Sequence, residues 1–229
     1  MVSLITEGSS TDRHGRPFRR RRATPVIVLL TVFAVVAVAV WIRVLTTTSE
    51  ASAASVTCND PTLSQPLAPD APTPPPLGER VDSDVLADVA PAPLSAAKVR
   101  VYNGNGEHGQ AAQVAAELSD YGFASAPDVQ AGNDPVYVDQ NLQCQGQVRF
   151  GPNGLAAASA VWLVAPCAEL IQDERTDDVV DLALGTYFGK LSPNTDADEV
   201  LRALAEASPD TEAAPLDPDL LAAARSARC

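Results

Sequence analysis

The stretch VRVYNGNGEHGQAAQVAAEL, residues 99–118, decides how the surrounding chain folds. A β-branched run over residues 99–102 predicts a strand, and apolar residues at helical spacing over residues 109–121 predict a helix. The turn between them has the spacing G-x-G-x-x-G, which in a strand-to-helix setting is the dinucleotide-binding fingerprint. Its glycines are Gly104, Gly106 and Gly109, and Asp128 lies about 20 residues further on, where the ribose-binding carboxylate is expected.

The first 45 residues have the composition of a membrane anchor. Residues 1–25 carry six arginines against two acidic residues and predict a basic cytoplasmic tail. Residues 26–45 are almost uniformly apolar and reach the ~20 residues that cross a bilayer, so they predict a single transmembrane helix. By the positive-inside rule, the remainder of the chain is extracytoplasmic. Two alternatives stay open: a signal peptide cleaved after Ala53, and a lipoprotein modified at Cys58.

The predicted extracytoplasmic part is strongly acidic. Seven of the 16 lysines and arginines, but only two of the 29 acidic residues, lie in the first 43 residues, which leaves a net charge of −18 beyond them. Binding to nucleic acid requires clustered cations that contact the phosphates, so no nucleic-acid partner is predicted. The same charge disfavours anionic polymers unless the charges segregate on the folded surface.

All four cysteines lie beyond the predicted membrane span, in an oxidising compartment, and predict two disulfides rather than reactive thiols. Pairing of Cys144 with Cys167 is favoured, because both lie inside the predicted domain. Cys58 then pairs with Cys229, near the two ends of that domain. The other two connectivities stay open. Because no C-x-x-C spacing occurs and His108 is the one histidine beyond the span, no zinc site is predicted.

The chain beyond the membrane divides into a linker, a domain and a tail. Residues 46–95 are too proline-rich for a helix or an inner strand, and predict a semi-rigid, extended linker that holds the domain away from the bilayer. Within the linker, the amphipathic residues 81–89 are a candidate for packing on the domain. Residues 191–229 predict a helical C-terminal tail.

Residues 96–190 predict a small α+β domain built from two similar halves. VRVYNGNG in the first half is answered by VRFGPNG, which begins at Val148, and an alanine-rich helix follows each. A short strand is expected at residues 136–138, and two apolar strands over residues 168–172 and 179–185. These halves predict a split βαβ sandwich, one sheet with two helices on one face. The candidate core residues are Phe150, Leu155, Trp162, Leu163 and Ile171.

The predicted domain fits a dinucleotide fold poorly. It spans about 95 residues, whereas such a fold needs two mononucleotide-binding halves, and Pro127 precedes Asp128 in a weak strand. Nicotinamide cofactors are not supplied outside the membrane, so no cofactor is predicted. Gly104 and Gly106 are explained by positive φ in a strand-to-helix turn, and Gly109 by the close approach of the helix to the sheet.

The start of this helix remains a candidate contact for a ligand or partner, because its backbone amides are able to receive an anionic group. The residues of this candidate site are Asn103, Gly104, Asn105, Gly106 and His108. No catalytic residues are predicted: His108 is the one available histidine base, no G-x-S-x-G frames a serine, and no recognisable glycosidase pair of carboxylates occurs. The alternative is a hydrolase or ligase with an unrecognised site.

The strand, turn and helix also resemble a known family. The pattern V-x-V-x-N-G, followed by G-x-A-x-x-x-A-x-x-L-x-x-x-G-F, resembles the LytR C-terminal domain family, and VDLALGTYF at residues 180–188 is similar to the end of that domain. The pattern is carried by Val99, Val101, Asn103, Gly104, Gly109, Ala111, Ala115, Leu118, Gly122 and Phe123.

This resemblance covers residues 96–190 and implies a non-enzymatic envelope domain. Such a domain accompanies LytR-type ligases, which attach polymers to the cell wall, or stands alone without their catalytic domain. The expected function is therefore to maintain envelope integrity from a membrane anchor, by binding envelope-assembly proteins of that type or cell-wall polymer.

Overall fold

The computed structural model describes residues 24–68, 70–208 and 216–226, which fall into two units divided between Ser49 and Glu50. The described chain begins with helix α1, Thr24–Val56. Its segment Pro25–Ile42 has a mean hydropathy of 2.8 and exposed side chains throughout, so its length and composition are those of a membrane-spanning helix. Most of the predicted basic tail lies outside the described residues.

The second unit is built on one mixed sheet. Its strands are β1 (Glu79–Val81), β2 (Lys98–Asn103), β3 (Ala124–Ser125), β4 (Ala131–Asn133), β5 (Gly146–Phe150), β6 (Glu169–Gln172) and β7 (Val180–Leu184). Their order across the sheet is β1-β6-β5-β7-β2-β3, and β4 also pairs with β2, beyond β3 along the same strand. The β5–β7 and β1–β6 pairs are antiparallel, and the other pairs are parallel.

Two βαβ units organise this sheet, as the sequence predicted. Helix α3, Gln110–Tyr121, connects β2 to the parallel strand β3. Helix α4, Leu155–Val164, connects β5 to the parallel strand β6. The two units meet where β5 and β7 pair antiparallel, so the predicted α+β fold, a split βαβ sheet covered by helices, is confirmed.

One face of the sheet packs on helices and forms the main core. Along β2, Val99 and Val101 point into this core, because alternate residues of a strand lie on one face. Three further helices are α2 (Asp84–Ala87), α5 (Thr195–Glu206) and α6 (Pro218–Arg225). Each contributes buried residues to the core, so more helices cover this face than the two that the sequence predicted. The core residues of these three helices are Leu86, Ala197, Val200, Leu201, Leu204 and Ala224.

The opposite face is covered by irregular chain. Loop residues between β4 and β5 form a second apolar cluster there with Cys58 and Ala183. Because both faces are covered, every residue of β5 and β7 is buried. The loop residues of this cluster are Val136, Tyr137, Leu142 and Cys144.

The range predicted as an extended linker differs in the structure. Helix α1 continues to Val56, and the segment that we call the strap, residues 58–68 and 70–78, lies against the second face of the sheet. The Asn59 side chain exchanges hydrogen bonds with the Gln143 backbone N–H (2.7 Å) and the Asn141 carbonyl (3.1 Å). Beyond the strap, β1 joins the sheet and Leu86 of α2 is fully buried, so much of this proline-rich range is part of the domain.

The favoured disulfide pairing is wrong. Cys58 bonds to Cys144, 86 residues away, which fastens the strap to the loop before β5. This bond excludes both predicted pairs, Cys144 with Cys167 and Cys58 with Cys229, and also excludes lipid modification of Cys58 in this form. Cys167 is disulfide-bonded too, and Cys229 lies outside the described residues.

Two smaller sequence predictions also differ. Residues 136–138 form a turn rather than a strand, and the third chain segment against β2 is β4, Ala131–Asn133. Of the candidate core residues, Phe150, Leu163 and Ile171 are buried, whereas Leu155 and Trp162 are only partly buried. The position of Trp162 at the surface bears on the candidate site described below.

Candidate functional site

The glycine turn between β2 and α3 is held by two asparagine side chains. Asn103 is buried, and its Oδ1 accepts a hydrogen bond of 2.8 Å from the Ala111 backbone N–H in the first turn of α3. Asn105 donates to the Gly185 carbonyl at 2.9 Å and accepts from the Glu107 backbone N–H at 3.0 Å. Asn103 therefore fixes the start of the helix, and Asn105 ties the turn to the end of β7.

The glycines of the turn have structural causes. Gly106 and Gly109 have φ angles of +78° and +82°, which favour glycine. A Cβ on Gly104 would lie 3.0 Å from both the Leu142 side chain and the Leu184 carbonyl oxygen, so close packing disfavours a side chain there. The structure thus confirms the predicted positive φ at Gly106 only. At Gly104 and Gly109 the predicted reasons are exchanged: Gly104 needs the close approach and Gly109 needs the positive φ.

The helix start offers little to an anion or a dinucleotide. Its Ala111 N–H is bonded to Asn103, and the Gln113 N–H is bonded to the Gly109 carbonyl at 3.1 Å. Asp128 is ion-paired with Arg100 at 2.6 Å rather than left open for a ribose. The Val129 backbone N–H, and then Arg100, hold the pKa of Asp128 below its usual value. His108 is exposed and projects from the turn.

Asn103→Ala is expected to lower the free energy of unfolding by about 1–2 kcal/mol, because it leaves the Ala111 N–H without its partner. Urea denaturation followed by far-UV circular dichroism measures this loss. Gln113→Ala, an exposed change on the same helix, is the matched control and is expected to stay within about 0.5 kcal/mol. Equal stability of Asn103→Ala and the parent would contradict the capping role.

Charged side chains form a row across the second face of the sheet. The strand register aligns Arg149 of β5 with Asp181 of β7, and Asp181 with Arg100 of β2. The row continues through Ile171 of β6 to Arg80 of β1. The sequence pattern gave no indication of a role for Arg149. The structure shows that the loop between β4 and β5 buries Arg149.

Arg149 and Asp134 form a fully buried ion pair at the centre of this row. The two guanidinium nitrogens reach the two Asp134 oxygens at 2.8 and 2.7 Å, and the two side chains are 2% and 0% exposed. Gln147 Oε1 accepts two further hydrogen bonds from Arg149. Asp134 Oδ1 also accepts from the Val136 backbone N–H, so the pair holds the loop against the sheet.

Three further ionic contacts extend the row from Asp181. Asp181 joins Arg100 (2.8 Å) and Arg175 (2.7 Å), and Arg175 also contacts Asp173 (2.6 Å). Burial alone lowers the pKa of Arg175, but the hydrogen bonds that it donates to Asp173 and Asp181 outweigh this effect and raise that pKa above its usual value. Arg175 therefore remains charged and paired at all physiological pH values, which suits a structural role.

Glu169 connects the row to the strap. It accepts hydrogen bonds from the Gln147 side chain (2.9 Å), the Arg80 guanidinium (3.1 Å) and the Cys58 backbone N–H (3.3 Å). Tyr137 donates a hydrogen bond to the Asn59 carbonyl, and burial raises the pKa of this tyrosine, so it stays protonated as a donor. The carboxylates of this face are therefore bound within the fold. In the part of the chain that the structure describes, no cluster of His, Cys, Asp and Glu is suited to hold a metal ion.

A groove of about 420 Å³ lies at the β1 end of the sheet, beside Trp162 of α4. The Trp162 indole N–H donates to the Pro166 carbonyl at 3.1 Å, so its hydrogen-bonding group is occupied while the ring lines the groove. We call this the Trp162 groove. Its other lining residues are Thr57, Arg80, Val81, Asp82, Ser83, Pro166, Ala168, Glu169 and Leu170.

The sequence interpretation missed this groove and placed Trp162 in the core. One signal was present: Trp162 is the only aromatic residue of α4 and lies four residues before Pro166, which follows the helix. The predicted contact residues of the glycine turn and the Trp162 groove lie in different parts of the fold, since the turn follows β2 and the groove borders β1.

Comparisons with known proteins agree with this architecture. Residues 96–188 match the family model described as LytR cell envelope-related transcriptional attenuator. The cell envelope integrity protein Cei of Mycobacterium tuberculosis is 48% identical over 229 residues, the full length of both chains. The crystal structure of the soluble domain of a conserved hypothetical secreted protein from Mycobacterium marinum is 51% identical. It covers 67% of this chain and 99% of its own, with a TM-score of 0.58.

Proposed function

Because the chain belongs to the LytR C-terminal domain family and matches an envelope integrity protein over its full length, we propose that it is a non-catalytic binding module of the cell envelope. It is anchored by α1, with its basic N-terminus in the cytoplasm and its domain outside the membrane. It maintains envelope integrity by binding envelope-assembly proteins, such as LytR-type ligases, or cell-wall polymer.

The anchor and the cysteines support this topology. Arginine-rich residues precede the apolar segment Pro25–Ile42, and positive charge favours the cytoplasmic side. The Cys58–Cys144 disulfide requires an oxidising compartment, which a domain beyond the membrane has and a cytosolic domain lacks. The soluble domain of the Mycobacterium marinum relative comes from a protein described as secreted, which is consistent with the same side of the membrane.

The observation that carries the non-catalytic proposal is the use of the charged side chains within the fold. Asp134 and Asp181 are buried and paired with arginines, and Glu169 accepts three hydrogen bonds. His108, the one histidine beyond α1, is exposed in the glycine turn and has no ion pair among the described residues. A catalytic site needs a nucleophile and a base within hydrogen-bond reach of each other, whereas these three carboxylates are engaged in contacts that hold the fold together.

The charge of the domain favours a protein over an anionic polymer as partner. Of the cations beyond residue 43, Arg80, Lys98, Arg100, Arg149 and Arg175 are all in ion pairs with carboxylates. Few cations therefore remain to attract phosphates or uronates, whereas exposed carboxylates remain to attract a basic protein surface.

The experiment is complementation of cells that lack the chain, scored by their sensitivity to detergent and to envelope-targeting antibiotics. His108→Ala is expected to restore resistance to the parental level, because this histidine has no catalytic task. Gln113→Ala on α3 is the matched control, and immunoblots verify that all the proteins reach equal amounts. Failure of His108→Ala alone, at equal protein level, would favour a hydrolase or ligase with an unrecognised site.

A further inference from the structure

We propose that the Trp162 groove binds a basic segment of a partner protein, with a lysine or arginine side chain lying over the indole ring and beside Asp82. This inference rests on the proposed function and specifies the chemistry of the partner. It concerns a surface at the β1 end of the sheet, away from the glycine turn in which the sequence placed the contact.

The charge at the groove favours a cation. Arg80, the one cation in the lining, is bound to Glu169 (3.1 Å) and to Asp60 (2.8 Å), so two carboxylates match its positive charge. Asp82 is exposed and has no ion pair among the described residues. The neighbouring chain adds two more exposed carboxylates that have no ion pair among the described residues, at Glu79 and Asp84.

The indole ring favours the same ligand. Its N–H is bonded to the Pro166 carbonyl, so the ring contacts a ligand through its surface rather than through a hydrogen bond. A cation over the face of a tryptophan is attracted by the ring quadrupole, and tryptophan is the strongest of the aromatic side chains in this respect. An adjacent carboxylate strengthens that attraction, and Asp82 lines the same groove.

The apolar part of the lining suits the stem of a long basic side chain. Val81, Pro166 and Leu170 line the groove together with the ring. Lysine and arginine bury their methylene stems along such surfaces while the charged head stays at a polar site. A phosphate or a carboxylate would instead be repelled by Asp82 and its neighbours, and a neutral sugar would leave the local negative charge unmatched.

The test uses the full chain in detergent micelles, in a Trp41→Phe background, so that Trp162 is the only tryptophan and its fluorescence reports on the groove. The probes are a short arginine-rich peptide, the same peptide with citrulline in place of arginine, and a neutral oligosaccharide of N-acetylglucosamine. Saturable fluorescence change is expected with the arginine peptide. Affinity for the citrulline peptide is expected to be lower by about tenfold, since citrulline keeps the shape and removes the charge.

Asp82→Asn is expected to lower the affinity for the arginine peptide about fivefold, because the ionic contact is lost. Asp120→Asn removes one exposed carboxylate from α3 at the other end of the sheet, and is the matched control for general electrostatics; its affinity is expected to stay within about twofold. Trp162→Leu, followed by calorimetry, is expected to abolish saturable binding. Its unfolding curve verifies that the variant is folded.

Three results would overturn the proposal. They are equal affinity for the arginine and citrulline peptides, an equal loss of affinity for the arginine peptide in Asp82→Asn and Asp120→Asn, and binding of the oligosaccharide alone. Absence of binding by all three probes would overturn it as well. None of these results bears on His108, so the complementation experiment tests the non-catalytic function separately.

Discussion

Arg149→Met is expected to lower the free energy of unfolding by about 3–5 kcal/mol, because it leaves the buried carboxylate of Asp134 without a counter-charge. Asp134 has 0% side-chain exposure and receives two hydrogen bonds from the guanidinium, so water cannot replace the lost partner without opening the loop. Urea denaturation of the full chain in detergent, followed by Trp162 fluorescence in the Trp41→Phe background, measures this change.

A double variant separates the lost charge pair from lost packing. Arg149→Met with Asp134→Asn removes both charges and keeps an acceptor for the Val136 N–H. We expect it to be more stable than Arg149→Met alone, because no uncompensated charge stays buried. Arg202→Ala, at an exposed arginine of α5, is the matched control and is expected to stay within about 0.5 kcal/mol. A cost for Arg149→Met no larger than that of Arg202→Ala would show that the pair does not hold the loop.

Replacement of both Cys58 and Cys144 by serine is expected to destabilise the domain by about 2–5 kcal/mol. The disulfide closes a loop with a sequence separation of 86, for which the chain-entropy description gives about 4.5 kcal/mol. The strap then keeps only its hydrogen bonds and apolar contacts, so limited proteolysis is expected to cut residues 58–78 earlier than in the parent. Urea denaturation and mass spectrometry of the fragments measure the two effects.

Asn59→Ala provides the comparison for this variant. It removes hydrogen bonds between the strap and the loop without touching the disulfide, and is expected to cost about 1–2 kcal/mol. A double-serine protein that unfolds at the same urea concentration as the parent, with an unchanged cleavage pattern, would contradict the structural role of the bond.

The arrangement of the sheet was predictable because it depends on local patterns. The strand, the glycine turn and the alanine-rich helix at residues 99–121 show their periods directly in the sequence, and VRFGPNG with its helix repeats them. The connection from one strand through a helix to a parallel strand is almost always right-handed, and consecutive strands usually lie next to each other in the sheet. Two copies of the unit were therefore enough to indicate the split βαβ fold that the structure has.

The strap and the disulfide were not predictable in the same way. The strap has few regular elements, and its binding depends on single side chains such as Asn59, whose partners Asn141 and Gln143 lie 82 and 84 residues away. Cysteine pairing depends on which loops meet in space, and the sequence placed Cys58 at the far side of a linker. Its actual neighbour, Cys144, lies in the loop that covers the same sheet face.

The contacts of the candidate site residues were also not predictable from the sequence. Asn103 and Gly104 were noticed for their motif, and the structure assigns them a hydrogen bond to the helix start and a close packing contact. Arg149 was not singled out in the sequence, and Trp162 was placed in the core, although it is only partly buried. Alternation cannot reveal that a loop covers a charged residue, and the composition of a helix cannot reveal that its tryptophan borders a groove.

The most direct test of the account compares three chains in cells that lack the protein: the parent, His108→Ala, and Trp162→Leu combined with Asp82→Asn. Envelope resistance is scored at equal protein levels, with the unfolding curve of each chain measured after purification. We expect the parent and His108→Ala to restore resistance, and the folded groove variant to fail to restore it. Restoration by the groove variant together with failure of His108→Ala would contradict a function that resides in binding rather than catalysis.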